Sequence, residues 1–242
     1  MFDHVDLRVT DLTRSRAFYD AALGAPTYSD EEIFEYGDFG ILEGPNVARR
    51  LHIGFGVPDR GAVDAWWRKL TAAGFTSDGE PGPRPQYEPT YYGAFVLDPD
   101  GNSIEAMHHE SSVPSGMQHL WFRTRELAAA KAFYEAVAPH AGIELKYDEP
   151  ERFQFRFRDG VGSFSVVAGA EPTENVHLAF AAPDRETVDR FYETAISAGY
   201  RDNGAPGERP QYHPGYYGAF VLDPDGHNVE AVFHGGRELT GV

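Results

Sequence analysis

RPQYEPTYYGAFVLDPDGNSIEAMHH, residues 84–109, returns as RPQYHPGYYGAFVLDPDGHNVEAVFH, residues 209–234. The copies lie 125 positions apart (209 minus 84), about half of a 242-residue chain, so the sequence reads as a tandem duplication and not as one large domain. Outward from this block, LHIGFGVPDRGAVDAWWRKLTAAGF from Leu51 matches VHLAFAAPDRETVDRFYETAISAGY from Val176 at the same offset. Further upstream, HVDLRVTDLTRSRAFYDAAL from His4 matches HLWFRTRELAAAKAFYEAVA from His119 at an offset of 115 (119 minus 4). The second copy is therefore about ten residues longer between these blocks, which predicts longer strands or turns around FQFRFRDGVGSFSVVAG. ESSVPSG, residues 110–116, is small, polar and Pro/Gly-bearing, as a linker is. The expected organisation is a first domain over 1–110, a linker over 111–116 and a second domain over 117–242.

Each copy divides again. A short alternating strand (HVDLRV) leads into an amphipathic helix (LTRSRAFYDAAL) and further strands. HIGFGV then leads into the helix GAVDAWWRKLTAAG and two more strands. The predicted unit is β-α-β-β-β, present four times, which makes the fold α+β.

Composition narrows the function. With 41% apolar and 14% aromatic residues spread along its length, the chain has material for a core in each half. No apolar run approaches the roughly 18 residues of a membrane helix, and MFDHVDLRV lacks the basic and apolar regions of a signal peptide, so a cytoplasmic protein without a membrane partner is expected. The absence of cysteine excludes disulfides, zinc ribbons and thiolate nucleophiles. A formal net charge of -17 argues against a nucleic-acid partner, because phosphate binding needs clustered Lys and Arg.

Strand parity locates the chemistry, since alternate side chains face opposite sides of a sheet. In HVDLRV, Val5, Leu7 and Val9 form the core face, which leaves His4, Asp6 and Arg8 on the other. In HIGFGV, Ile53, Phe55 and Val57 are core, and His52 shares its face with Gly54 and Gly56. His177 likewise lies with Ala179 and Ala181, and a histidine beside only small residues leaves room for a ligand. Glu105 projects opposite Ile104 and Ala106, and Glu230 opposite Val229 and Ala231. An unpaired carboxylate inside a strand core would be too costly, so each glutamate must face a polar site.

Each copy thus supplies two histidines and a glutamate on strand faces turned from the helices: His4, His52 and Glu105, then His119, His177 and Glu230. Two imidazoles and a carboxylate with open positions beside them suit a divalent ion, Fe2+, Mn2+, Ni2+ or Zn2+. His109 and His234 share the face of the glutamates and are expected to back the ligands, whereas His108 and His227 have no counterpart and are expected to be exposed. DPDG reads as a turn with glycine at its left-handed position and not as a calcium loop.

These stretches, with YYGAFVLDPDGNSIEA and its partner, strongly resemble the vicinal oxygen chelate superfamily, which includes glyoxalase I, bleomycin-resistance proteins and extradiol dioxygenases. The resemblance implies paired β-α-β-β-β modules curling around a divalent ion, with the six residues above at ligand positions. Departures narrow the choice. A glyoxalase I usually adds a fourth ligand before the second module, where the second copy has only SFSVVAGA and Glu43 in the first fits poorly, so glyoxalase activity is disfavoured. The dioxygenase pattern places a histidine where His213 stands, but Glu88 replaces it in the first copy and Phe95 and Phe220 fill the acid-base tyrosine slot.

The expected protein is a metal-dependent enzyme acting on a small molecule chelated through vicinal oxygens, as monomer or homodimer. His119, His177 and Glu230 would hold the ion, His213 would act as acid or base, and Tyr212, Tyr216 and Tyr217 would line the substrate cleft. The alternative is a metal-independent protein that sequesters an antibiotic. Members of the superfamily differ in whether the first-strand histidine serves its own domain or the other. The short linker favours self-contained groups here.

Overall fold

The computed structural model describes residues 2–110 and 116–235, so all but the last position of the expected linker lies outside the described residues. The first module is β1 (Phe2–Val9), α1 (Leu12–Leu23), β2 (Tyr28–Ser29), β3 (Ile33–Glu35) and β4 (Phe39–Glu43). The second is β5 (His52–Gly56), α2 (Arg60–Ala72), β6 (Ser77–Pro83), β7 (Tyr92–Leu97) and β8 (Ser103–His108). The third is β9 (Met117–Thr124), α3 (Leu127–Ala141), β10 (Ile143–Glu149), β11 (Arg152–Phe157) and β12 (Ser163–Ala168). The fourth is β13 (His177–Ala181), α4 (Arg185–Ser197), β14 (Arg201–Glu208), β15 (Tyr217–Leu222) and β16 (Asn228–Phe233). The β-α-β-β-β order recurs four times, as the repeats predict. The extra length of the second copy falls in β10 to β12, which run 7, 6 and 6 residues where β2 to β4 run 2, 3 and 5.

Local chemistry sets the element ends. Asp11, Asp59 and Asp184 each accept a hydrogen bond from the backbone N–H three residues on, at Arg14, Ala62 and Thr187, and so start α1, α2 and α4. β6 and β14 lie at sheet edges, and their Gly/Pro-rich sequences interrupt the pairing with β7 and β15. Proline and irregular register at an edge discourage pairing with a further chain.

The described residues divide into two compact units. One comprises residues up to Val5 together with those from Phe122 on; the other is Asp6–Trp121. In the first unit the strands run β14-β15-β16-β13 with the start of β1 beside β13, and β10-β11-β12 form a separate ladder. Its core brings Phe2 to within 4.7 Å of Phe157 and about 6 Å of Phe164 and Phe180, ring to ring. In the second unit the order is β6-β7-β8-β5-β9, and β2-β3-β4 form a meander. Trp66 of α2 donates its indole N–H to Ala22 O at the end of α1, 3.0 Å away. The core faces follow the predicted parity: Val5, Leu7, Val9 and Ile53 are at most 1% exposed.

The DPDG segments are turns. Asp98 Oδ1 accepts from the N–H of Asp100 and Asn102, and Gly101 has φ 88°. Asp223 Oδ1 does the same for Asp225 and His227, with Gly226 at φ 90°. Each aspartate also receives a buried tyrosine hydroxyl, Tyr19 onto Asp98 and Tyr134 onto Asp223. The expectation of an exposed His227 is corrected here: it is fully buried, and its Nδ1 accepts from Val176 N as Asn102 Oδ1 accepts from Leu51 N. It does an asparagine's work in the second turn, which is why it has no histidine counterpart. His108 is half-buried, with Nδ1 donating to Val57 O.

Candidate metal centres

In the unit Asp6–Trp121, β8 pairs with β5 on one side in parallel and β9 pairs with it on the other side antiparallel. Gly54 faces Glu105 in one ladder and His119 in the other, and a Cβ at Gly54 would overlap the His119 ring. The glycine lets that ring lie across β5 toward His52. His52 Nε2 stands 3.0 Å from His119 Nε2 and 3.1 Å from Glu105 Oε2, and His119 Nε2 is 3.3 Å from the same oxygen. The carboxylate is 1% exposed. Its other oxygen accepts from the Tyr91 hydroxyl at 2.9 Å, and Gly93 clears the space it occupies.

The other unit holds the second group. His177 Nε2 is 3.0 Å from Glu230 Oε2, and His4 Nε2 approaches the same oxygen at 3.6 Å. Glu230 is fully buried, and Tyr216 donates its hydroxyl to Oε1 at 2.6 Å. A Cβ at Gly218 would come within 2.6 Å of that oxygen. Ala179 stands where the first copy has Gly54, and here the His4 and His177 rings meet edge to face at 90° instead of the 31° between His52 and His119.

The expectation of self-contained groups is therefore corrected. His119 joins His52 and Glu105, and His4 joins His177 and Glu230. The reason is strand order: β9 adds to β5 and β1 to β13, so each first-strand histidine completes the group of the other copy.

The donor set fits a divalent ion. Ligand atoms about 2.0–2.2 Å from one such ion stand about 2.8–3.6 Å from one another at right-angle to tetrahedral geometry. Two imidazole nitrogens and a carboxylate oxygen at 3.0, 3.1 and 3.3 Å match those edges. One ring proton cannot serve all three contacts at once, whereas a shared cation can. Burial pushes the Glu105 carboxyl up, but His119 and His52 beside it outweigh burial and hold it at about 2. Burial likewise raises Glu230, and His177 and His4 bring it below its ordinary value. Burial lowers His52, which favours the neutral, ligating imidazole.

Behind His4 runs a hydrogen-bonded chain. Asp3 Oδ1 accepts from His4 Nδ1 at 2.8 Å, Asp3 Oδ2 accepts from His234 Nε2 at 2.9 Å, and His234 Nδ1 meets His213 Nε2 at 2.8 Å. His213 Nδ1 donates to Pro214 O at 3.0 Å. The chain thus runs from the Asp3 carboxylate to the Pro214 carbonyl, with an acceptor at each end. Burial raises Asp3, but its bonds to His234 and His4 hold it at about 2.

The remaining predicted residues are distributed as follows. Tyr212 is 60% exposed, 4.9 Å from Tyr216 ring to ring. Tyr216 is buried against Glu230 and does not present a cleft wall. Tyr217 faces the other way, its hydroxyl on Asp189 of α4 and the Arg185 guanidinium over its ring, so the adjacent-tyrosine reading of the cleft is corrected for that residue. Phe95 and Phe220 do face the groups, 5.7 Å from His52 and 6.2 Å from His177, with Arg84 and Arg209 over their outer faces. His109 stacks on Tyr91 and contacts Glu88 at 3.3 Å. Glu43 is exposed at the end of β4. Asp223, Asp225 and His227 also cluster within 4.8 Å, but His227 Nδ1 accepts a backbone N–H, which puts the ring proton on Nε2 and leaves no lone pair for an ion.

Sequence reasoning missed Asp3, Tyr91, Gly93 and Gly218, and took Gly54 as room beside His52 without the crossing of the His119 ring. The signal for Asp3 was a slip in parity. Phe2 and Val5 are both buried, with two residues between them instead of one. β9 carries the same slip as a bulge, where Gly54 pairs with His119 and Phe55 with Met117, leaving Gln118 over.

Four β-α-β-β-β modules with two buried glutamates, each set among histidines from two modules, define the class as a tandem vicinal-oxygen-chelate protein. The Glyoxalase/Bleomycin resistance protein/Dioxygenase superfamily profile matches residues 1–106 and 116–231, and the chain belongs to that superfamily. Among solved structures, glyoxalase I from Zea mays is similar over 96% of this chain and 92% of its own, with TM-score 0.71 and 20% identity. A putative dioxygenase from Bacillus subtilis subsp. subtilis str. 168 is similar over 96% of this chain and 84% of its own, with TM-score 0.68 and 14% identity. At such identities these likenesses speak for the fold. No curated protein matches the sequence. Among the described residues no helix is long and apolar enough to cross a membrane.

Proposed function

We propose that this is a divalent-metal-dependent enzyme acting on a small molecule that offers two neighbouring oxygens. The observation that carries the reading is the set of 3.0, 3.1 and 3.3 Å separations among His52, His119 and Glu105, the spacing of ligands around one ion. His4, His177 and Glu230 form the second set. Bound there, Fe2+, Mn2+, Ni2+ or Zn2+ supplies Lewis-acid stabilisation of charge developing on substrate oxygens.

The chain's own residues do the rest. Tyr91 and Tyr216 hold the glutamates by one oxygen and leave the other for the ion. Phe95 and Phe220 give the sites an apolar wall. The half-buried His213, on the loop before β15, is the proposed acid or base, and its Nε2 is held 2.8 Å from His234 Nδ1. Tyr212 is retained as a substrate contact because its ring is exposed beside Tyr216. The net charge of -17 supports a small-molecule partner over nucleic acid, and the protein is proposed to work as monomer or homodimer.

Elemental analysis of protein purified without chelator tests the proposal. Two ions per chain are expected. His177→Ala and Glu230→Ala are each expected to lose one while keeping the native circular dichroism. Absence of metal from the wild-type protein would turn the reading to sequestration of an antibiotic. With a substrate in hand, His213→Gln should lower turnover far more than metal content.

A further inference from the structure

We infer that Asp3 is a positioning residue that makes the His4 group the tighter of two unequal divalent-ion sites. The inference rests on the metal reading above. Its ground is a difference between copies that are otherwise close in sequence. Asp3 and Gln118 hold equivalent places, one residue before the first-strand histidine (118 minus 3 is the same 115-residue offset). Both stand at the point where strand parity slips, so the side chain before the histidine stays on its side of the sheet.

Asp3 uses that placement fully. Its carboxylate is 5% exposed, with one oxygen on His4 Nδ1 at 2.8 Å and the other on His234 Nε2 at 2.9 Å. A carboxylate only accepts, so the contact with Asp3 puts a proton on His4 Nδ1 and leaves Nε2, 3.6 Å from Glu230 Oε2, as the nitrogen that would take the ion. A carboxylate behind a ligating imidazole also raises the ring's basicity, and loss of such a partner commonly costs 10–100-fold in metal affinity. His234, itself in contact with His213, holds Asp3 from behind. In the first copy Gln118 carries no charge, His109 turns to Glu88, and Glu88 stands where His213 is in the second copy. The partners that back His4 are therefore replaced behind His119.

Two measurements on the full chain test this. In metal-free protein with 15N-labelled histidine, two-bond N–H correlations should show His4 as the Nδ1–H tautomer, assigned by its disappearance in His4→Gln. Asp3→Asn should weaken that preference. A wild-type His4 with its proton on Nε2, or a tautomer unchanged by Asp3→Asn, would overturn the inference without reference to metal. Zn2+ affinity is then measured against a competing chelator in Glu105→Ala, which leaves the His4 group whole, and in Glu230→Ala, which leaves the His119 group whole. The first should bind at least ~10-fold more tightly, Asp3→Asn should remove ~10–100-fold from it alone, and Gln118→Asp should tighten the second. Equal affinities, or no gain from Gln118→Asp, would overturn the inference and leave the metal reading standing. No Zn2+ bound by either variant or by wild type would overturn the metal reading and the inference with it.

Discussion

Glu105 and Glu230 are the residues on which both centres turn, and each is held by one hydrogen bond that strand parity alone did not reveal. Tyr91 and Tyr216 were visible in the sequence only as one of two adjacent tyrosines, and pairing them as a cleft wall ignored that neighbours in an extended chain point to opposite sides. The first tyrosine bonds the glutamate, and the second, Tyr217, bonds Asp189 of α4. Removing the Tyr216 hydroxyl leaves Glu230 Oε1 buried without that donor. Tyr216→Phe is thus expected to lower Zn2+ affinity at the His4 group by roughly 10-fold, while Tyr217→Phe leaves it unchanged; competition with a chelator reads both. The ligand types were legible because a carboxylate inside an apolar strand has to be explained. Asp3 was not, because its contribution depends on the slip between buried Phe2 and Val5, and such a slip reverses the parity from which faces are read.

At the scale of elements, small residues decide which ring reaches which. Gly54 sits opposite His119 across the β5–β9 ladder, and the absence of a Cβ is what lets the imidazole cross the strand. Gly54→Ala should displace His119 and weaken metal binding at that group while the His4 group, which already has Ala179 at the equivalent place, stays intact. Retention of two equally bound ions would contradict this. Helix starts are a separate matter of local chemistry. Asp59 Oδ1 takes the N–H of Ala62 at 2.8 Å, so Asp59→Ala is expected to cost about 1 kcal/mol, seen as a lower urea midpoint with metal content unchanged. The four-module order was legible at this scale, since helix and strand periodicities alternate cleanly and aspartates stand at three of the helix starts. The fate of His227 was not, because a buried histidine accepting one backbone N–H looks in sequence like any other unmatched histidine.

At the scale of the whole molecule, the duplication shows that there are two groups but not how they are assembled. Equivalent residues repeat at 125 or 115 positions whichever copy supplies the first histidine, so the choice lies in strand pairing between segments far apart in sequence. A short linker was a poor guide, because loop-closure entropy changes slowly with length and does not oppose an exchange of first strands. The exchanged assembly has a direct test in two double variants analysed for metal. His4→Ala with Glu105→Ala removes a ligand from each group, whereas His119→Ala with Glu105→Ala removes two from the same group. The predicted result is loss of both ions from the first protein and retention of one by the second; one ion kept by the first and none by the second would contradict it.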